Sequence, residues 1–509
     1  MLGETIFALV AISILNIALS THPKTKDCSR VLIIGGGPVG LGTAIMLRNR
    51  GWKEVTVVER RPKAFDSERS YLYRLDGRGQ RLTDLLGLTG VMAAAGVPSR
   101  EFTNITYFHP SGASSVFQFP SWSLTSAEKF FLPRKEMVDV LAETAMKKCI
   151  PIHFGCSTES IGVDAATNAV KITCNQRDES GERALTFLPD VVIGCDGFQS
   201  TTRDFLCNCG LPNFEKFQPS FCKSDSSNLC YKILKMNSRF PLPGGDMSVP
   251  SRGYVIIGKK GKPNTRIRLG LLPVRSSEFR TANIICAADH VLWTKSTKEE
   301  VKAFLSYSLP QLHPLDDYFS DGELERFAKQ KPGRFPVPSS VSKCQLRVSD
   351  TCTFLLAGDA VHSFPPDIGQ GINSGFLDVF HLHNALAQSN DDFDVAAEIY
   401  ERVIIPESKA LAEIVTYAAT VGYGNTPFKR LLFLLNFKLR EILATLFPGI
   451  FSPAAFYLVQ NPLVAYSDIN RLAHRTTRRI WTAATLLSMV FSCSRGLLRA
   501  GRLELALAS

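Results

Sequence analysis

Residues 31–60, VLIIGGGPVGLGTAIMLRNRGWKEVTVVER, constrain the chain more than any other stretch. Val31–Ile34 is a short continuous apolar run, the pattern of a strand buried in a parallel sheet. Gly35-Gly36-Gly37-Pro38-Val39-Gly40 comes next and fits G-x-G-x-x-G. A helical segment then runs to about Arg50. A second strand, Val55–Val58, ends at Glu59, nineteen residues after Gly40. Strand, tight turn, helix, strand and acid in this order make a dinucleotide-binding unit. Gly35 allows the turn, Gly37 lets the backbone approach a pyrophosphate, and Gly40, helped by Gly42, lets the helix pack closely on the strand. The helix N-terminus offers unpaired N–H groups and a positive dipole end to phosphates. Glu59 would repel the 2′-phosphate of NADP, so the tightly held ligand is FAD or NAD. Arg60 and Arg61 beside it weaken that exclusion slightly.

A chain of 509 residues has room for two or three domains and a large core. Mean hydropathy of +0.03 suits a globular protein with some membrane affinity. The net charge of +11 fits nucleic acid, an anionic membrane surface, or a basic surface around an anionic cofactor. No nucleic-acid signature is present, which ranks that class last. Thirteen cysteines are scattered without a paired C-x-x-C, and Cys207 and Cys209 are poorly spaced for a metal. They read as mostly reduced thiols in a reducing compartment, with no metal site.

Ile6–Leu19 is an apolar run of fourteen residues with Glu4 before it and Lys24 and Lys26 after it. It lacks the positive start of a cleaved signal peptide and is short for a span. A signal-anchor, a targeting peptide and an ordinary leader all stay open. Residues 63–100 carry Arg69, Arg74, Arg78, Arg81 and Arg100, a solvated face or a clamp for phosphates. Arg134 opens a helix with Met137, Val138 and Leu141 on one face. Two further apolar strands end in an acid: Asp190–Gly197, which holds Asp196, and Thr353–Asp359, with Gly358 before Asp359. After the latter, Gly369 and Gly371 permit a tight backbone at a helix N-terminus. His362 has no visible partner in the sequence and reads as structural. The last hundred residues are helical and apolar. A basic belt of Arg471, Arg475, Arg478 and Arg479 precedes Ile480–Cys493, a run suited to lying on a membrane or capping the core.

Three motifs therefore stand in order: G-x-G-x-x-G with Glu59, then Asp196-Gly197, then Gly358-Asp359. In these the sequence resembles the class A FAD-dependent monooxygenases of the para-hydroxybenzoate hydroxylase type, and within them most the kynurenine 3-monooxygenase family. Arg69-Ser70 with Arg78-Gly79 is similar to that family's R-S-x(7)-R-G. GCDGFQSTTR (194–203) is similar to its G-C-D-G-x-x-S-T-x-R. GDAVHSFPPDIGQGINSGFLD (358–378) is similar to its G-D-A-x-H…G-Q-G-M-N-x-G-F-x-D. The resemblance covers about residues 30–460.

The resemblance implies an α/β fold: a Rossmann-type FAD-binding domain interleaved with a mixed β-sheet substrate domain, and a helical C-terminal region. The expected division is a leader at 1–27, FAD-binding parts at 28–205 and 348–400, the substrate-side sheet at 206–347, and C-terminal helices at 401–509. It implies that Gly35, Gly37, Gly40 and Glu59 bind the ADP half of FAD and that Arg134 reaches the ribityl-phosphate region. Asp196 belongs to the motif tied to both FAD and NAD(P)H. Asp359, after Gly358, would bond the ribityl chain, with Gly371, Ile372 and Asn373 along the isoalloxazine edge. A helix N-terminus there suits the negative charge of reduced flavin. No second G-x-G-x-x-G comes after a strand, which suits NAD(P)H visiting as a co-substrate without its own domain. The implied cycle is flavin reduction, reaction with O₂, and a C4a-hydroperoxide that donates oxygen, so no protein nucleophile is assigned.

The departures concern the substrate. The family clamps a substrate carboxylate with an arginine that falls at Phe102 here, two positions after Arg100. Its pocket tyrosine falls near Phe117 or Phe119, and its pocket asparagine near Ala418, beside Tyr417. Losing the charged fork counts against kynurenine itself. The reading is an FAD enzyme hydroxylating a small aromatic substrate. The alternatives are an epoxidase acting on a membrane-dissolved lipid or terpenoid, and a flavin-binding protein without turnover. The expected location is membrane-associated, mitochondrial or endomembrane.

Overall fold

The structure is a computed structural model. It describes residues 24–62, 72–100, 104–118, 128–178, 181–227, 229–259, 266–275, 278–418, 427–459 and 461–507. The leader run Ile6–Leu19 lies outside them.

The first expected strand forms as Arg30–Ile34, at the middle of a six-stranded sheet. The order is Gln345–Arg347, Thr353–Leu356, Val191–Gly194, Arg30–Ile34, Glu54–Glu59, Ile152–Phe154. All neighbours run parallel except the first pair. Val191, Val192, Ile193, Phe354, Leu355 and Leu356 are fully buried, as continuous apolar strands covered on both faces must be. The helix Pro38–Asn49 covers one face, with proline at its first position, where no N–H is needed. Register brings the strand ends level. Ile34 pairs with Val58 and with Gly194, and Gly194 pairs with Leu356. The loops carrying Gly35, Glu59, Asp196 and Asp359 therefore leave the sheet at one edge, its carboxyl end, where open α/β sheets bind ligands.

A seven-stranded mixed sheet forms the second core. Leu229–Asn237, Gly253–Ile257, Arg268–Leu271 and Phe279–Ala287 lie within the span expected to be the substrate side. Asn104–Phe108 and Ser114–Gln118 join the same sheet from inside residues 28–205, the first pairing in parallel with Gly253–Ile257. Phe279–Ala287 alternates buried and half-buried residues, as a strand with one face on the core does. The helices Lys298–Ser308 and Asp321–Lys329 supply Val301, Leu305, Leu324 and Phe327 to that core.

The C-terminal region is helical: Phe393–Ala418, Pro427–Leu446 and Tyr466–Leu507. Leu411, Ile414, Val415, Tyr466 and Ile469 pack on Phe364 and Ile368 of the segment after Asp359. Among the described residues no helix is long and apolar enough to cross a membrane. The twelve described cysteines are free thiols.

Candidate active site

The glycine turn is built by close approach. Gly35 has φ +109°, and a Cβ there would stand 2.4 Å from the Cys195 carbonyl oxygen and 2.9 Å from the Asp196 Cα. A Cβ on Gly40 would stand 1.9 Å from the Gly35 carbonyl oxygen. Gly37 differs: nothing lies within 4 Å of its Cβ position, and it caps the helix Pro38–Asn49 without a side-chain bond. The turn thus leaves open backbone and unpaired helix N–H groups on one side, the cradle that a pyrophosphate needs. Glu59 is buried at its rim. Its Oε2 accepts from the Gly36 N–H at 2.7 Å and its Oε1 from the Arg61 N–H at 2.9 Å. The acid braces the loop it was expected to serve.

Asp196 is spent locally. It accepts from the Ser200 hydroxyl at 2.5 Å, the Thr201 hydroxyl at 3.0 Å and the Thr202 N–H at 3.0 Å. It therefore ties down the first turn of the helix Thr201–Asn208, whose N-cap is Ser200, and fixes the loop that touches Gly35. Arg203 carries the link onward: Nη1 donates to the Ala360 carbonyl at 3.1 Å and Nη2 to the Phe198 carbonyl at 2.8 Å.

The third loop meets the first through Val39. Its side chain lies 3.0 Å from a Cβ position on Gly358 and 2.7 Å from one on Gly375. The Gly358 N–H donates to Asp378 Oδ2 at 2.8 Å, and the same oxygen is 2.8 Å from His362 Nε2. His362 thus has the partner that the sequence did not show. Burial pulls its pKa down, but Asp378 and Asp359 outweigh it and the net shift is upward. Asp359 itself is solvent-accessible, just past the end of the strand Thr353–Leu356. Burial raises its carboxyl, opposed by His362 and by Arg134, and contact with water moderates the rise. Arg134, first residue of the helix Arg134–Lys147, is therefore within electrostatic reach of Asp359, and its Nε donates to the Tyr73 hydroxyl at 3.2 Å.

Gly371 and Ile372 begin the helix Gly371–Gln388, which has no side-chain cap. Asn373 is wholly buried and makes a clamp: its amide donates to the Arg74 and Gly369 carbonyls, both at 2.9 Å, and its oxygen accepts from the Asp76 N–H at 2.9 Å. Its side chain is thus committed to holding the turn, and Gly79 is glycine because a Cβ would stand 2.6 Å from Asn373 Oδ1. Gln370 donates to Asp76 Oδ2 at 2.7 Å and accepts from the Tyr466 hydroxyl at 2.6 Å. Arg78 lies over the Tyr466 ring and donates to the Val459 and Val464 carbonyls, which binds the C-terminal segment to this site.

Of the substrate-side residues, Phe102 and Phe119 lie outside the described residues. Arg100 is exposed and paired with Glu128 at 2.9 Å. Tyr417 donates to Asn470 Oδ1 at 3.0 Å, turned toward the C-terminal helix. Asp378 and Asp76 were given no role from the sequence, although each stands in or beside a motif stretch. The one available signal was the fixed spacing of polar residues inside those stretches.

A family model described as an FAD binding domain matches residues 28–223 and 347–391. Kynurenine 3-monooxygenase of Sus scrofa is 24% identical over 437 residues, covering 83% of this chain and 82% of its own length. The enzyme of that name from Salinispora arenicola is 24% identical over 495 residues, covering 93% and 97%. Among solved structures, HpxO of Klebsiella pneumoniae complexed with FAD is similar with a TM-score of 0.57 at 18% identity, over 86% of this chain and 100% of that one. At such identity the structural likeness speaks to the fold. The fold and the glycine cradle fit FAD as the resident cofactor.

Proposed function

Because the chain is an oxidoreductase of the FAD-dependent monooxygenase kind, we propose that it uses NAD(P)H and O₂ to hydroxylate a small aromatic substrate. FAD supplies electron transfer and oxygen activation. The chain's own residues bind and orient it. The Gly35–Gly40 turn and Glu59 would hold the ADP half, Arg134 and Asp359 the middle of the molecule. The N-terminus at Gly371 offers a positive dipole end to negative charge on the ring system.

The observation that carries this reading is the convergence of three sequence-distant loops on one sheet edge, with Arg134 within electrostatic reach of Asp359. Purified protein is expected to be yellow and to oxidise NAD(P)H faster when a suitable ring compound is added. Kynurenine, lacking its arginine at position 102, is expected to be a weak stimulator. Well-folded protein without flavin would refute the cofactor assignment, and robust coupled hydroxylation of kynurenine would refute the Phe102 argument.

A second reading, action on a membrane-dissolved lipid, is favoured by one surface. The helix Pro427–Leu446 exposes Phe428, Leu431, Leu435, Ile442 and Leu446, an apolar face suited to lying on a bilayer. A product screen offering lipids in vesicles beside soluble aromatic compounds separates the two.

A further inference from the structure

Gly371 and Ile372, where the helix Gly371–Gln388 begins, hang between two clamps that share one anchor. On one side the Asn373 side chain accepts from the Asp76 N–H at 2.9 Å. On the other the Gln370 amide donates to Asp76 Oδ2 at 2.7 Å. Gln370 and Asn373 are both buried, yet nothing lies within 4 Å of a Cβ position on Gly371 between them. The Gln370 amide has a second end, and its Oε1 accepts from the Tyr466 hydroxyl at 2.6 Å. Tyr466 is itself pinned. Its N–H donates to Glu407 Oε2 at 2.7 Å, and the Arg78 guanidinium lies 4.5 Å from its ring centroid. Gln370 thus has both ends of its amide committed and cannot rotate without breaking a buried hydrogen bond. The helix carries no side-chain cap of its own, so its first turn depends on these two clamps.

We propose that Tyr466 is a positioning residue for the flavin ring: by fixing Gln370 it holds the backbone N–H groups of Gly371 and Ile372 where they meet the negative charge of the reduced ring. The proposal rests on the FAD reading of this site and adds to it a residue of the C-terminal region. The physical reason is electrostatic. The oxidised ring is neutral and the reduced ring carries charge, so a helix N-terminus held in place favours the reduced form. Donors fixed in advance do this best, because they need not reorient as the charge arrives. Without the hydroxyl, Gln370 keeps its bond to Asp76 and loses the one that fixes its other end. The residue at the helix N-cap is then free to turn, and the N–H groups that follow it turn with it. The helix Tyr466–Leu507 thereby bears on the cofactor through its first residue.

The test is the midpoint potential of the FAD-loaded protein, read by stepwise reduction against a reference dye with no substrate present. Tyr466→Phe removes one hydroxyl and keeps a ring beside Arg78. It is expected to retain FAD and to bind reduced relative to oxidised flavin roughly threefold to tenfold less tightly, the scale of one hydrogen bond. For a two-electron couple that is a fall in potential of about 15–30 mV. Gln370→Met, which keeps the side-chain length without the amide, is expected to give the same fall and decides the matter if Tyr466→Phe does not fold. In the double variant the two falls should not add, since both cut one link. Ser467→Ala is the structural comparison. Its hydroxyl donates to Glu407 Oε1 in the same first turn, so its loss should lower the melting temperature and leave the potential unmoved. A wild-type potential in Tyr466→Phe or in Gln370→Met overturns the proposal, as do full additivity in the double variant and an equal fall in Ser467→Ala. Wild type that folds without FAD overturns the cofactor reading, and the proposal with it.

Discussion

Two glycines of the first turn should fail in different ways. At Gly40 an added methyl would stand 1.9 Å from the Gly35 carbonyl oxygen and 3.2 Å from the Cys195 Cβ. Backbone cannot rotate aside, so Gly40→Ala must lift the helix Pro38–Asn49 from its turn. Overpacking of this kind costs about 1–3 kcal/mol. At about 2–4 °C per kcal/mol for a unit of 150–250 residues, the melting temperature of the cofactor-free protein falls by about 2–12 °C. At Gly37 the added methyl meets no protein atom within 4 Å, and the backbone there is ordinary extended chain. Gly37→Ala should therefore leave the cofactor-free protein as stable as wild type. It occupies the space where the backbone must approach a pyrophosphate, so the penalty appears only with FAD. The assay is thermal melting with and without excess FAD. At a hundredfold excess over the dissociation constant, a bound ligand adds about 2.7 kcal/mol of stability. Wild type should show that rise, Gly37→Ala should lose it without a change in its starting point, and Gly40→Ala should lose both. If Gly37→Ala keeps the full FAD-dependent rise, the cradle is not where the phosphates sit. If Gly40→Ala melts like wild type, the close packing of turn and helix is wrong.

Asp378→Asn tests the buried pair with His362. The folded protein raises the His362 pKa above the ordinary 6.5, so the pairing adds stability that is complete below pH 6.5 and is lost as pH climbs through the raised value. The melting difference between wild type and variant should shrink with rising pH, and a difference independent of pH would refute the charged pairing. Asp367→Asn tests the opposite situation. Burial pushes the Asp367 carboxyl up to about 6 from the usual 3.8, with Ser226 donating to it, so ionising it costs stability as pH rises through that window. The variant should be more stable than wild type by on the order of 1–2 kcal/mol at pH 7.5, with the gain fading by pH 4, as read from melts at both values.

Much of the site was legible because its demands are local. Only glycine tolerates the contacts and φ at Gly35, so that residue announces the turn without any knowledge of its partner. The apolar runs at 31–34, 191–194 and 353–356 announced buried parallel strands for the same reason. The roles inside the motifs were less legible. Asp196 accepts from the first turn of its own helix and Asn373 clamps a turn, bonds that the motifs did not announce. A motif records which residues stand together, not which neighbour takes each hydrogen bond.

Chain order alone determined that a dinucleotide cradle exists, that an acid closes it, and that two later strands end in acids of their own. These come from the short-range geometry of strands, turns and helix ends. Only the tertiary structure decided that residues 104–118 pair into the seven-stranded sheet, that His362 meets Asp378, that Arg78 grips residues 459 and 464, and that Arg74 lies beside Gly369. Several of these contacts join residues hundreds of positions apart. Sheet register and helix packing set them, and neither leaves a periodic trace in the sequence.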